Sequence, residues 1–131
     1  MRVELTRTKD SYSIISAWWK ERNFPIVKPS ILSQYTFLCY NDQNTPVYSM
    51  CFYNTDSDLC WIGWQASNPF VEKEDKEGCF DYLFKEIEKY AKELEYDTIF
   101  TTSNVGPVVD VLKNNNYKEG DEQVNHYLKT I

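Results

Sequence analysis

The sequence predicts an α/β (α+β) fold: a mixed sheet made of an antiparallel meander and a parallel βαβ crossover, with helices on both faces. Three strand-like runs, 35–40, 47–53 and 59–66, are separated only by short polar turns, which favours antiparallel pairing. An amphipathic helix follows, and the next strand-like run, 98–102, comes only after that helix, as a parallel crossover requires. At 131 residues the chain fits one domain, 1–131.

The elements are predicted in chain order from local signals. Val3 and Leu5 alternate with charged residues and predict a first strand. Asp10 and Ser11 offer caps for a helix through Arg22, and the prolines that follow make 23–33 a loop. The clearest helix begins near Gly78, where one apolar stripe runs over four turns: Phe80, Leu83, Phe84, Ile87, Ala91 and Leu94.

The last third of the chain is predicted from its caps and turns. Residues 98–102, which are β-branched or aromatic, predict a compact buried strand. Ser103 and Asn104 can cap a third helix with Pro107 in its first turn, and asparagines 114–116 end it. Short strands are expected at Tyr117 and at 124–128.

Composition excludes several classes of function. The net charge is −6 and the pI about 4.8, which argues against nonspecific nucleic-acid binding. The charge modestly favours a basic partner, although an acidic surface more often serves only solubility. No apolar run approaches the ~20 residues that span a membrane. The four cysteines lack the spacing of a zinc site, so we expect no metal and reduced thiols in a cytoplasmic protein. The aromatic content permits a homodimer.

The element order resembles the GNAT superfamily of acyl-CoA N-acyltransferases over nearly the whole chain. The most specific part is the strand segment 61–67 (WIGWQAS), the Asn68-Pro69 break, the charged loop and the long amphipathic helix. The resemblance implies acetyl-CoA as cosubstrate, with its pantetheine arm along the strand and its pyrophosphate at the helix N-terminus. Unpaired N–H groups and about half a positive charge suit such an end to phosphate. The implied cofactor-binding residues are Ala66, Ser67, Lys73, Lys76, Glu77, Gly78, Cys79 and Asn104.

A finer resemblance comes from the aromatic segments. The chain is similar here to small GNAT-like proteins found in bacteriophage genomes, and the similarity lies in Tyr12, Trp18-Trp19, Arg22 and Pro25 and in the segments 61–64 and 67–69.

The chain departs from the superfamily pattern at two places. The phosphate loop Gln/Arg-x-x-Gly-x-Gly/Ala ends here at Gly78, which puts Lys73 first and Lys76 in place of the middle glycine. Four carboxylates share this loop and oppose a diphosphate. The tyrosine that serves the superfamily as general acid is replaced by Leu112, four residues before Asn116-Tyr117.

Other candidate residues have alternative interpretations. Lys73, Lys76 and Gly78 form either a phosphate cradle or a solvated loop. Cys79 is either a nucleophile activated by a helix N-terminus or a core thiol. The second interpretation is favoured because no histidine lies near Cys79 in the sequence. His126, the only histidine, is the candidate base, although its position on the last predicted strand favours a histidine satisfied by its neighbours.

The tryptophans Trp18, Trp19, Trp61 and Trp64 line an acceptor groove or belong to the core. Trp61 and Trp64 fall on opposite faces of a regular strand and on one face only if a bulge intervenes.

Two hypotheses of function follow. The first is an N-acyltransferase that moves an acetyl group from acetyl-CoA to a small-molecule or protein amine. The second is a catalytically degenerate GNAT-fold protein, such as a phage-encoded interaction factor, that acts by binding another macromolecule. The absent tyrosine and the acidic loop favour the second, and they leave open whether the chain is an enzyme.

Overall fold

A computed structural model describes residues 1–103, 105–121 and 127–131. It contains five strands and three α-helices in these residues. Two one-turn 3₁₀ helices also occur, at Pro29–Ile31 and at Lys73–Lys76. The elements are β1 (Arg2–Arg7), α1 (Thr8–Glu21), β2 (Tyr35–Tyr40), β3 (Pro46–Tyr53), β4 (Leu59–Ser67), α2 (Cys79–Glu93), β5 (Thr98–Phe100) and α3 (Gly106–Asn114).

The five strands form one mixed sheet in the order β1-β2-β3-β4-β5. Strands β1 to β4 pair antiparallel, and β5 pairs parallel to β4. The chain reaches β5 through α2, because a parallel neighbour requires a crossover. The predicted meander and parallel crossover are therefore confirmed.

Each face of the sheet carries its own core. On one face, Ile15, Trp18 and Trp19 of α1 pack on side chains of the sheet that include Leu38 and Cys51. On the other, the predicted stripe of α2 packs on Phe37, Phe52 and Ile62, among others, except for Leu94, which lies just beyond the helix and is exposed. Leu83, Phe84 and Ile87 are fully buried there, and each such side chain contributes about 1.5–3 kcal/mol of transfer free energy. Helices on both faces are confirmed.

Some boundaries differ from those predicted. The first helix starts at Thr8, not at the caps expected at Asp10 and Ser11, because the Thr8 N–H donates to Gln34 O at 2.9 Å and its hydroxyl bonds that of Thr36 at 2.8 Å. These bonds turn the chain straight from β1 into the helix.

Strand β5 is shorter and less buried than predicted. It ends at Phe100, which is half exposed, because β5 is the edge of the described sheet. Tyr117, Tyr127 and Leu128 are not in strands, and the rest of the last predicted strand lies outside the described residues.

One end of the sheet gathers three chain segments. Asn23, in the left-handed region at φ 56°, closes α1, and Arg22 just before it reaches the end of β4. The 3₁₀ turn before α2 lies at the same end, where the Asn41 side chain donates to Asp75 O at 3.1 Å. The end of α1, the end of β4 and the start of α2 therefore adjoin one another.

Candidate functional site

Strands β4 and β5 part along their length. Their pairing covers only Leu59↔Thr98, Cys60↔Ile99 and Trp61↔Phe100, whereas β4 continues to Ser67. About 20 Å of β4, residues 62–67, thus has no strand partner on that side in the described part of the chain. Main-chain groups that would join a ladder are left for a ligand.

A β-bulge lies in this unpaired part of β4. The register with β3 passes from Cys51↔Gly63 to Ser49↔Ala66, so β4 uses three steps where β3 uses two. Trp64 carries the distortion at φ 55°, a conformation that costs a side chain of this kind about 1–2 kcal/mol. A bulge turns main-chain groups out of the ladder, and strain of this kind is common at functional sites.

The bulge also decides where the tryptophans lie. The Trp61 ring lies over Gly63 and contacts Tyr53 with ring centroids 4.6 Å apart, while Trp64 packs against the core cluster beneath α1. Both half-buried rings are therefore on the α1 face, as the bulged alternative predicts. Trp18 and Trp19 are buried in that core and do not form a groove wall.

The N-terminus of α2 is open. Gly78 caps it at φ 76°, ψ −14°, a left-handed conformation that glycine adopts without strain, and it is exposed. Among the described residues, the main-chain N–H groups of 78–81 donate no hydrogen bond. This end therefore presents free donors together with the positive end of the helix dipole.

The acidic side chains of the preceding loop do not close this end. Glu72, Glu74, Asp75 and Glu77 are exposed, and none forms an ion pair with a described residue. Lys73 is exposed as well, whereas Lys76 folds back toward β4. The carboxylates thus remain in solvent, where salt screens them over ~8–10 Å.

Two cations converge on the end of β4. The Arg22 guanidinium donates to the hydroxyl of Ser67 at 2.9 Å and to its carbonyl oxygen at 3.1 Å, and Lys76 Nζ lies 3.1 Å from the same hydroxyl. Burial, together with the charge of Arg22, lowers the pKa of Lys76, and Glu72 offsets part of this effect. Ser67 and Lys76 were predicted from the sequence as cofactor-binding residues. Arg22 was not, because it lies 45 positions from Ser67 along the chain.

The remaining candidate residues divide into three groups. Ala66 is buried beneath α1, and Cys79 is a core thiol whose pKa is raised by burial, so only main-chain groups of these two can face a ligand. Leu112 packs into the core with α2. Asn104 and the candidate base His126 lie outside the described residues.

Tyr117, five positions after Leu112, is a partly buried tyrosine. Its hydroxyl is buried without a hydrogen-bond partner in the described structure. Burial raises the pKa of this phenol, with smaller contributions from Glu88 and Cys60.

Comparison with known proteins finds likeness in structure alone. No model of a known family and no curated protein matches the sequence. A structure described as a probable acetyltransferase superposes with a TM-score of 0.70 at 12% identity, covering 100% of this chain and 99% of that one. An aminoglycoside acetyltransferase from a soil metagenome, solved with sisomicin, gives 0.64 at 18% identity and covers 99% and 95%.

A third similar structure contains a coenzyme. A Mycobacterium tuberculosis protein in complex with CoA gives a TM-score of 0.67 at 14% identity, covering 88% of this chain and 70% of that one. The fold of the chain is that of the GNAT acetyltransferases. In the residues described, no helix is long and apolar enough to cross a bilayer.

Proposed function

We propose that the protein is an N-acyltransferase that moves an acetyl group from acetyl-CoA to an amine. The observation that carries the proposal is the parting of β4 from β5 beside the open N-terminus of α2. An extended thioester donor needs such an unpaired strand for its amide groups and a phosphate-binding helix end beyond it. The similar CoA complex and acetyltransferases support this choice.

The reaction uses main-chain groups rather than a named side-chain acid. The amine nitrogen attacks the thioester carbonyl carbon, the C–N bond forms, and the C–S bond breaks. The departing thiolate takes up the proton that the amine loses. Amide N–H groups near Ala66 and Ser67 stabilise the oxyanion, because preorganised donors act most strongly where negative charge develops.

The acceptor is an amine with basic character. A net charge of −6 attracts a cationic acceptor, and the similar aminoglycoside acetyltransferase was solved with sisomicin. Trp61 and Trp64 at the bulge form part of its binding surface. The reaction takes place in the cytoplasm, in one domain of residues 1–131, with His126 and Asn104 as further candidates for base and donor contact.

A matched pair of variants tests the proposal. Gly78→Asp adds a side chain and a negative charge at the N-terminus of α2, whereas Gly120→Asp makes the same change where an added Cβ would meet no other described residue, beyond its chain neighbours, within 4 Å. Acetyl-CoA is titrated by calorimetry, and release of the CoA thiol is followed with a panel of polyamines, aminoglycosides and lysine peptides. We expect acetyl-CoA to bind the wild type and Gly120→Asp but only weakly Gly78→Asp.

Absence of binding to the wild type would refute the transferase. Binding with no thiol release for any amine would favour the second candidate, a catalytically degenerate binding protein. The observation that favours this candidate is that Leu112, which cannot donate a proton, packs into the core at the position of the superfamily's tyrosine.

A further inference from the structure

The Ser67 hydroxyl has an unusual set of neighbours. It accepts hydrogen bonds from Arg22 Nη2 at 2.9 Å and Lys76 Nζ at 3.1 Å, so both of its lone pairs are engaged. Its own proton has no acceptor among the described residues. The hydroxyl, held between two cations, is therefore free to donate its proton to solvent or to a ligand.

The two cations also keep unused donors. Arg22 uses Nε and one N–H of Nη2 on Ser67, which leaves the rest of its guanidinium free, and Lys76 retains two ammonium protons. No carboxylate of the described chain lies within 4 Å of either cation. Two like charges thus meet at one partly buried hydroxyl with no described carboxylate in direct contact, and the more distant Glu72 offsets their effect only in part, so an anion would stabilise the arrangement.

We propose that Arg22, Ser67 and Lys76 form a receptor for a phosphate-type anion. An arginine fork, a lysine and a hydroxyl together supply several donors, which suit the several oxygens of a phosphate better than the two of a carboxylate. Lys76 closes the 3₁₀ turn just before the open end of α2, so the receptor adjoins the amides proposed above for the donor.

Two sources can supply this anion. One is a phosphate group of the acyl donor, and this assignment rests on the proposed function. The other is a free phosphate or pyrophosphate, which requires no acyl transfer. The receptor differs from the helix-terminal amides because it depends on side chains, one of them from α1, so substitutions separate the two.

Inorganic pyrophosphate is the first probe. Binding to the full chain is measured by calorimetry at low salt for the wild type, Arg22→Gln and Lys20→Gln. Lys20 is an exposed cation in the last turn of α1, so its variant loses the same charge on the same helix. We expect Arg22→Gln to weaken pyrophosphate binding by about tenfold or more, and Lys20→Gln to leave it nearly unchanged.

The receptor would be overturned if the wild type binds no pyrophosphate, or if the two variants bind it equally. Thermal unfolding verifies that both variants fold, as expected for exposed side chains.

A second arm compares CoA with pantetheine, which lacks phosphate. If Arg22→Gln weakens the binding of CoA but not that of pantetheine, the bound anion is a phosphate group of the acyl donor. If Arg22→Gln weakens the binding of pyrophosphate but leaves the binding of CoA unchanged, the receptor is supported and its ligand is a free phosphate or pyrophosphate. If CoA does not bind at all while pyrophosphate still depends on Arg22, the proposed transferase fails and the receptor stands.

Discussion

Gly63 is the residue at which a single methyl group tests the geometry of β4 most sharply. A Cβ there would lie 2.8 Å from Cζ2 and 3.1 Å from Cη2 of Trp61, whereas carbon atoms pack at about 3.5–4.0 Å. The Trp61 ring must therefore move by close to 1 Å. It contacts Tyr53 with centroids 4.6 Å apart, so the movement disturbs an aromatic pair worth about 0.5–1.5 kcal/mol.

The net effect is a difference between two opposing contributions. Overpacking costs about 1–3 kcal/mol. Replacing glycine where φ is not positive restricts the unfolded chain and returns about 0.4–1 kcal/mol. We expect Gly63→Ala to lower the free energy of unfolding by about 1 kcal/mol, or Tm by about 4 °C.

A double-mutant cycle isolates the contact. In the Trp61→Ala background the ring is gone, so Gly63→Ala should stabilise the protein by about 0.5 kcal/mol. Urea unfolding of the wild type, both single variants and the double variant gives the coupling free energy. The same effect of Gly63→Ala in both backgrounds would show that the ring does not lie over Gly63, and the bulge that places it there would be in doubt.

Three further predictions concern stability. Tyr117→Phe removes a buried hydroxyl without a partner, so urea unfolding should find it neutral or stabilised by up to about 1 kcal/mol; a clear loss would mean that the hydroxyl has a partner. Burial raises the pKa of Cys39 to about 12 and of Cys51 to about 11 from 9.0. Stability from these neutral thiols is full below pH 9 and lost as pH rises toward 11–12, by up to about 1.4 kcal/mol per pH unit for each thiol. Cys51→Ala should make the fall of the free energy of unfolding with rising pH less steep. An unchanged dependence on pH would show that the thiol of Cys51 does not cause the fall. Asn23→Ala should cost about 1 kcal/mol by thermal unfolding while Asn23→Gly costs nothing; equal losses would exclude the left-handed conformation as the cause.

Local patterns in the sequence were sufficient for most of the fold. The stripe on α2 predicts which side chains are buried because helical periodicity acts within one element. The meander follows from two short turns, and the parallel position of β5 from the helix before it. The start of α1 could not be predicted, because the Thr8 bonds to Gln34 and Thr36 join residues distant in sequence.

The candidate site was less predictable for the same reason. Gly78 could be identified because a glycine before a strong helix is a local signal. The bulge at Trp64 could be predicted only as one of two alternatives, because the register of β4 depends on its partner strand. Arg22 carried no local signal, because its role appears only when the end of α1 meets the end of β4.

The amide NMR spectrum of the protein during a titration with CoA tests the central claim most directly. The claim is that a donor lies along the unpaired part of β4 and ends at the N-terminus of α2. We predict saturable shifts confined to residues 62–67 and to Gly78, Cys79 and Phe80. Absence of saturable shifts, or shifts confined to the outer face of α2 around Lys85 and Lys89, would contradict it.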